Sequence, residues 1–239
     1  MRLKIKKLTM VLALLSIVFL CKAQGNWSNT HSKYDISRKT IKKKGFTLTF
    51  VNKDSTFPKG VEEHMIKTFF EVYPKEAKEY NKNTSKEVFI IIDPNYKGVA
   101  ATSGNVVRVN PEWFHQHPED VDVVTHEVMH IVQGYHWDAV PGWVTEGIAD
   151  FVRNEYGVNN KEANWTLPNY NAHQNYTDAY RITARFFIWL QQNYDKNLVK
   201  ELNLAARDKT YTSSFWNEKT GKTVDELWHI YGENPTIKS

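Results

Sequence analysis

His126-Glu127-Val128-Met129-His130 is the stretch from which the rest of this 239-residue chain can be read. Residues four apart on a helix sit one turn above each other, so both imidazoles face the same way with the Glu127 carboxylate beside them. This HExxH pattern is a zinc hydrolase signature. The chain holds nine His, and chance alone would supply roughly 0.02 such pentamers in a chain of this length. A buried His pair beside a surface Glu is the competing reading.

The sequence downstream weighs against that competitor. Pro141-Gly142-Trp143-Val144-Thr145-Glu146-Gly147-Ile148-Ala149-Asp150-Phe151-Val152-Arg153 reads as a breaker followed by a second helix, with Glu146 and Asp150 on one face. A hydrolytic zinc site needs three protein ligands and an open position, and each ligating His needs an acceptor for its other ring nitrogen. Glu146 can supply the third ligand and Asp150 the acceptor. His136, six residues after His130, is the alternative third ligand, as in HExxHxxGxxH. That pattern requires Gly three residues after the second His. Here Gln133 occupies the position and Gly134 follows it, and no later Met-turn is evident, since the Met residues are Met1, Met10, Met65 and Met129. Glu146 therefore fits better than His136.

The residues also carry a resemblance. Gly98-Val99-Ala100, the HExxH with Gln133 after it, Glu146 to Arg153, Thr183-Ala184-Arg185-Phe186-Phe187 and Gly221-Lys222-Thr223-Val224-Asp225-Glu226-Leu227-Trp228 together resemble the basic secretory protein family. Its members are plant and bacterial peptidases similar to the gluzincins. The resemblance spans about residues 46 to 233. It implies an α+β, zincin-like metallopeptidase fold: a small mixed sheet with an active-site helix, followed by a mainly helical C-terminal half. It also implies Zn2+ held by His126, His130 and Glu146. Gluzincins place a Tyr or His well downstream to stabilise the oxyanion, and Tyr180, ahead of Thr183-Ala184-Arg185-Phe186, matches the family's Tyr. Tyr176 and His173 are nearby rivals. In zincins an edge strand above the active-site helix pairs with extended substrate, and the resemblance suggests Val106 to Asn110 for that part.

Residues 1–23 form a unit of their own: Arg2, Lys4, Lys6 and Lys7 precede an apolar run from Leu8 to Leu20, then Cys21-Lys22-Ala23. This reads as a secretory signal peptide cleaved before Gln24, with an apolar run too short to span a membrane comfortably. Lipidation at Cys21 is the rival, weakened by Leu20 immediately before it. The leader holds five of the 31 basic residues and none of the 27 acids, which leaves 26 against 27, a net of −1. A nucleic-acid partner thereby loses its electrostatic support. Cys21 is the only cysteine, so the remainder has no disulfide, no thiol nucleophile and no Cys ligand for a metal. Secretion or periplasmic location, without stable membrane insertion, is the expectation.

Residues 24–44 are polar and read as a weakly ordered N-terminal segment, and residues 45–239 as one peptidase domain. Phe46 to Val51 alternates like a half-buried strand, and Val88 to Ile92 reads as a buried one. Between them Val61, Met65, Ile66, Phe69, Phe70, Val72 and Tyr73 recur at helical spacing. Thr102 to Asn105 reads as a turn. The active-site helix should start near Glu119 or Asp120, after Pro118, and end at Gly134, with Val121, Val124, Val128, Ile131 and Val132 packed behind it. Later helices are expected over about Thr177–Gln191, Leu198–Ala206 and Val224–Tyr231.

In such a site Glu127, adjacent to a ligand without being one, takes the proton of an acidified water and delivers it to the leaving amine. The favoured reading is a zinc endopeptidase acting on protein, peptide or glycoprotein. A non-catalytic binding or defence module would need a fourth ligand, for which His136 is the candidate. A zinc amidase acting on glycans or cell wall would keep the same site. Eight Trp are compatible with sugar stacking, although core packing explains most of them.

Overall fold

A computed structural model describes residues 27 and 29–238; the leader lies outside the described residues. Two strands open the chain, β1 (Ser37–Lys43) and β2 (Phe46–Asn52), joined by a tight turn. At that turn Lys44 and Gly45 both adopt positive φ, the two-residue turn that suits antiparallel strands. Helix α1 (Lys59–Tyr80) crosses to β3 (Glu87–Ile92), and the hairpin β4 (Ala100–Ser103) and β5 (Val106–Val109) follows. Strand order is β1-β2-β3-β5-β4. β2, β3 and β5 run parallel, and the two outer strands are antiparallel to their neighbours. Then come α2 (Pro111–Gln116), α3 (Val123–Gln133), α4 (Gly142–Tyr156), α5 (Tyr180–Asn193), α6 (Leu198–Arg207), α7 (Ser214–Thr220) and α8 (Val224–Glu233). The small mixed sheet and helical second half match the expected class.

One sheet face packs Leu48, Phe50, Ile90, Ile92, Val107 and Val109 against the helices. The other carries Val51, Ile91 and Val106 under Trp27. The chain from Trp27 is anchored there by Arg108, which pairs with Asp93 at 2.6 Å, places its guanidinium over the Trp27 ring and donates to the Asn29 carbonyl. Two expectations change accordingly. β2 is buried on both faces because a further layer covers the outer one. Part of the polar N-terminal segment is β1, paired along its length with β2 while its lysines remain in water.

The edge-strand expectation is also corrected. β5 lies inside the sheet, hydrogen-bonded on both sides, and the edge is β4. Thr102 and Ser103 belong to that strand, so the turn between β4 and β5 is confined to Gly104 and Asn105.

α3 is held at both ends by its neighbours. Its last turn leaves carbonyls without intrahelical partners; Asn81 Nδ2, just past α1, donates to the Val132 carbonyl, and the Thr84 hydroxyl to that of Ile131. Gly134 ends the helix in the left-handed conformation. α3 begins at Val123 and not at Glu119, because Asp120 and Asp122 are engaged elsewhere. Asp120 accepts from Trp113 Nε1 and pairs with Arg153 of α4. Asp122 takes the Thr125 hydroxyl and the N–H groups of Val158 and Asn159 just past α4. The five valines and isoleucines expected behind the helix are all buried.

Glu76 of α1 is fully buried, and neither carboxyl oxygen has a hydrogen-bond partner among the described residues. Burial pushes its pKa well above 4.5; His126 opposes the shift and Asp122 adds to it. A carboxyl raised in the folded state favours folding most when protonated, and stability is lost as pH rises above the unfolded value. Glu76→Met is therefore expected to raise unfolding free energy by about 1–3 kcal/mol at pH 8, with a smaller gain near pH 4.5. Urea titrations at both pH values, with chelator present throughout, check this; an unchanged or lower midpoint at pH 8 would refute it.

Candidate active site

Three donor atoms converge between α3 and α4. His126 Nε2 lies 3.1 Å from His130 Nε2 and 3.2 Å from Glu146 Oε2, and His130 Nε2 lies 3.5 Å from the same oxygen. Donors on a tetrahedral zinc at ~2.0–2.1 Å stand about 3.3 Å apart, so the observed spacings fit that ion. The donor chemistry agrees, since imidazole lone pairs facing one another require a shared cation or proton. Burial opposes charge on His126, but its hydrogen bonds to Asp150 and Glu146 outweigh that and raise its pKa to about 10. Burial likewise opposes charge on Glu146, and the two imidazoles hold it well below the usual carboxylate range. The cluster is a seat for positive charge.

Both imidazoles are fixed by their far nitrogens, by different means. His126 Nδ1–H donates to Asp150 Oδ1 at 2.7 Å, one turn beyond Glu146 on α4, as the sequence suggested. His130 Nδ1–H donates to Gln133 Oε1 at 2.8 Å, and Gln133 Nε2 donates to the Thr145 carbonyl at 2.9 Å. The Thr145 carbonyl can only accept, so the Gln133 amide can face only one way. Gln133 thus ties the second histidine to the turn that carries Glu146. In the sequence Gln133 stands out only as the residue where HExxHxxGxxH requires Gly.

His136 is outside the donor cluster; its Nδ1 pairs with Asp138 on an exposed part of the loop. Tyr180 stacks on the His126 ring at 6.1 Å and 18°, and is 52% exposed. Burial raises its pKa, and Glu146, Asp150 and Glu127 add to the shift, so the hydroxyl is kept protonated and able to donate. The rivals point elsewhere. Tyr176 gives its hydroxyl to Asp225 and packs on Trp143, and His173 sits in an exposed loop.

Tyr180 reaches the cluster through a close helix crossing. A Cβ at Gly147 would lie 2.3 Å from Thr183 Cγ2 and 3.0 Å from Phe187 Cε2, so only glycine lets α5 approach α4 there. The helix expected from Thr177 is interrupted. A 3₁₀ turn at Tyr176–Asp178, closed by a capping box from Asn175, precedes Ala179 at φ 63°, and α5 starts afterwards with Tyr180 itself at φ 50°. Behind the crossing, Trp143, Phe186, Phe187, Trp216, Trp228 and Tyr231 form one aromatic core. Trp137 is 88% exposed, on the loop after α3.

The cluster opens into a cleft of about 1370 Å³ between β4 and the helices, lined by residues that include Tyr96, Ala101, Trp113, Glu127, Trp137, Trp165 and Tyr180. Glu127 is buried at its wall. Thr102 of β4 places its hydroxyl 2.7 Å from Glu127 Oε2.

Residues 35–231 match the model of the BSP family, described as peptidase of plants and bacteria. No curated protein sequence matches the chain. Among solved structures, the chain is similar to a mutant M1 zinc metallopeptidase from Deinococcus radiodurans bound to a tyrosyl-seryl-alanine substrate, with a TM-score of 0.52 and 13% identity. It is also similar to a mutant two-domain M1 zinc metallopeptidase bound to L-tryptophan, with a TM-score of 0.50 and 11% identity. In both cases the match covers 85% of this chain and 53% of the other, so the chain spans about half the length of these structures.

Metal content tests the donor set. The chain equilibrated with zinc and desalted is expected to retain about one ion, and His126→Ala, His130→Ala and Glu146→Ala to lose it, whereas His136→Ala retains it. Elemental analysis reads this directly; loss in the His136 variant with retention in the Glu146 variant would transfer the third ligand to His136.

Proposed function

The chain belongs to the BSP family of plant and bacterial peptidases, and from that premise we propose that it is a secreted, zinc-dependent metallopeptidase of zincin-like, gluzincin-type fold. The observation that carries the reading is the convergence of His126, His130 and Glu146 beside the buried carboxylate of Glu127. When bound, zinc supplies a Lewis acid that acidifies water and polarises a carbonyl. The chain's own residues supply the rest. Asp150 and Gln133 hold the imidazoles as neutral ligands with Nε2 facing inward. Glu127 accepts the proton of the attacking water on its carboxylate and returns it to the leaving amine nitrogen. The Tyr180 hydroxyl donates to the carbonyl oxygen as negative charge builds on it.

An extended peptide is the substrate class that suits the cleft. The outer edge of β4, the last strand of the sheet among the described residues, can pair with a peptide backbone, which gives affinity with modest selectivity for side chains. The peptide-bound M1 neighbour supports the same class. A closed structural site would need a fourth ligand; His136 pairs with Asp138 instead, and a structural site has no use for Glu127.

The catalytic roles predict a split among variants. Glu127→Gln is expected to keep zinc and fold while hydrolysis of a diverse peptide library falls at least about a hundredfold. Tyr180→Phe should lower kcat with KM little changed. Chelator should abolish cleavage and zinc restore it. A wild type that cleaves nothing when zinc-replete, or a fully active Glu127→Gln, would refute the mechanism.

Secretion rests on the leader, and the exported chain is expected to begin at Gln24 and to partition into water. N-terminal sequencing with detergent phase separation checks this; a detergent-phase chain with modified Cys21 would establish the lipid anchor instead.

A further inference from the structure

We infer that Thr102 is a positioning residue for Glu127, an inference that rests on Glu127 acting as the general base. Thr102 Oγ1 lies 2.7 Å from Glu127 Oε2 and 3.0 Å from the Glu127 carbonyl oxygen. The hydroxyl has one proton for these two acceptors. The carbonyl sits within α3, where the N–H four residues on already serves it. The carboxylate oxygen is nearer and charged, and a hydrogen bond to an ionised acceptor is roughly twice as strong as a neutral one. The proton therefore goes to Oε2. Among the described residues Thr102 is the only hydrogen-bond donor to that carboxylate.

The consequence is geometric. A general base works only within hydrogen-bond reach of the proton it takes, and a Glu side chain has three torsions with which to leave that range. Fixing Oε2 to β4 leaves Oε1 as the oxygen available to water in the cleft. Thr102 suits the task because a β-branched side chain in a strand has a restricted χ1, which holds the hydroxyl in place. Its backbone is held in turn by pairing with Val107 of β5. The opposite edge of β4 is the one an extended peptide would occupy, so the strand that aligns the substrate also aligns the base.

The test compares Thr102→Val and Thr102→Ala, which lack the hydroxyl, with Thr102→Ser, which keeps it. All are assayed beside wild type and Glu127→Gln on one fluorogenic peptide cleaved by the wild type, with zinc content and thermal midpoint measured on each. The expected result is a ten- to hundredfold fall in kcat for the Val and Ala variants, with KM and zinc content unchanged. The Ser variant restores turnover to within about threefold of wild type, and Thr102→Val adds no further loss in a Glu127→Gln background. Wild-type kcat in both the Val and Ala variants overturns the inference. So does a parallel loss of zinc or stability in all three variants, which would make Thr102 a packing residue. The controls separate the two levels. Glu127→Gln inactive with Thr102→Val fully active removes only the role of Thr102. Glu127→Gln fully active, or an inactive wild type, removes the proposed function and this role with it.

Discussion

Three donor atoms facing one another at 3.1–3.5 Å are an arrangement that a folded chain does not reach by default. Desolvated polar groups without complementary partners cost free energy, and here lone pairs are aimed at lone pairs. The approach must be enforced from outside the cluster. On α3 the helix itself sets His126 and His130 one turn apart, but Glu146 arrives from a different helix, and a slip of one turn would move it by about 5.4 Å. Three hydrogen bonds, in two links, oppose that slip. Asp150 joins α4 to the first imidazole, and Gln133 joins the second imidazole to the Thr145 carbonyl. Asn81, Thr84 and Asp122 then fix α3 between α1 and the end of α4.

The two imidazole supports differ in charge, and the difference bears on what the cluster holds. A carboxylate behind His126 strengthens its ring as a donor, whereas the amide behind His130 orients the ring without adding charge. Glu146 and Asp150 each bring a carboxylate to the cluster from α4. Burial of Glu76, near His126 and Asp122, raises its pKa and so disfavours a further negative charge there.

Much of this was legible in the sequence because it follows from short spacings on helices. HExxH fixes His126, Glu127 and His130 on one helix, and the interval between Glu146 and Asp150 sets the third donor and the His126 support one turn apart on another. The apolar stripes of α1 and α3 behave as their periodicity requires. What stayed hidden depends on pairing between distant segments. β1 is polar and charged because it is an edge, and its strand character comes from β2. The resemblance points to Val106 to Asn110 as the substrate-facing edge, but the valines of that run belong to a strand inside the sheet, while the edge, Ala100–Ser103, has the small and polar residues of an exposed strand. Thr102 could not be singled out at all, since 25 residues separate it from Glu127. α7 leaves little periodic signal in the sequence because Ser214–Thr220 offers only Phe215 and Trp216 to a core formed mainly by other helices.

The start of α5 shows where the molecule concentrates its strain. Ala179 and Tyr180 take positive φ in succession, and a non-glycine residue in such a region costs roughly 1–3 kcal/mol. A smooth helix from Thr177 onward would avoid that cost. It would also carry Tyr180 along a different path, because the kink is what turns the chain from the Asn175 capping box into a helix crossing α4 at Gly147. Three contacts hold the kink: the capping box itself, the Thr183 hydroxyl on the Tyr176 carbonyl, and Thr183 packed against the bare Cα of Gly147. The residue immediately after the kink is the one whose ring lies along His126. The strain is thus found where α5 meets the donor cluster, with Gly147, next to Glu146, providing the space that allows it.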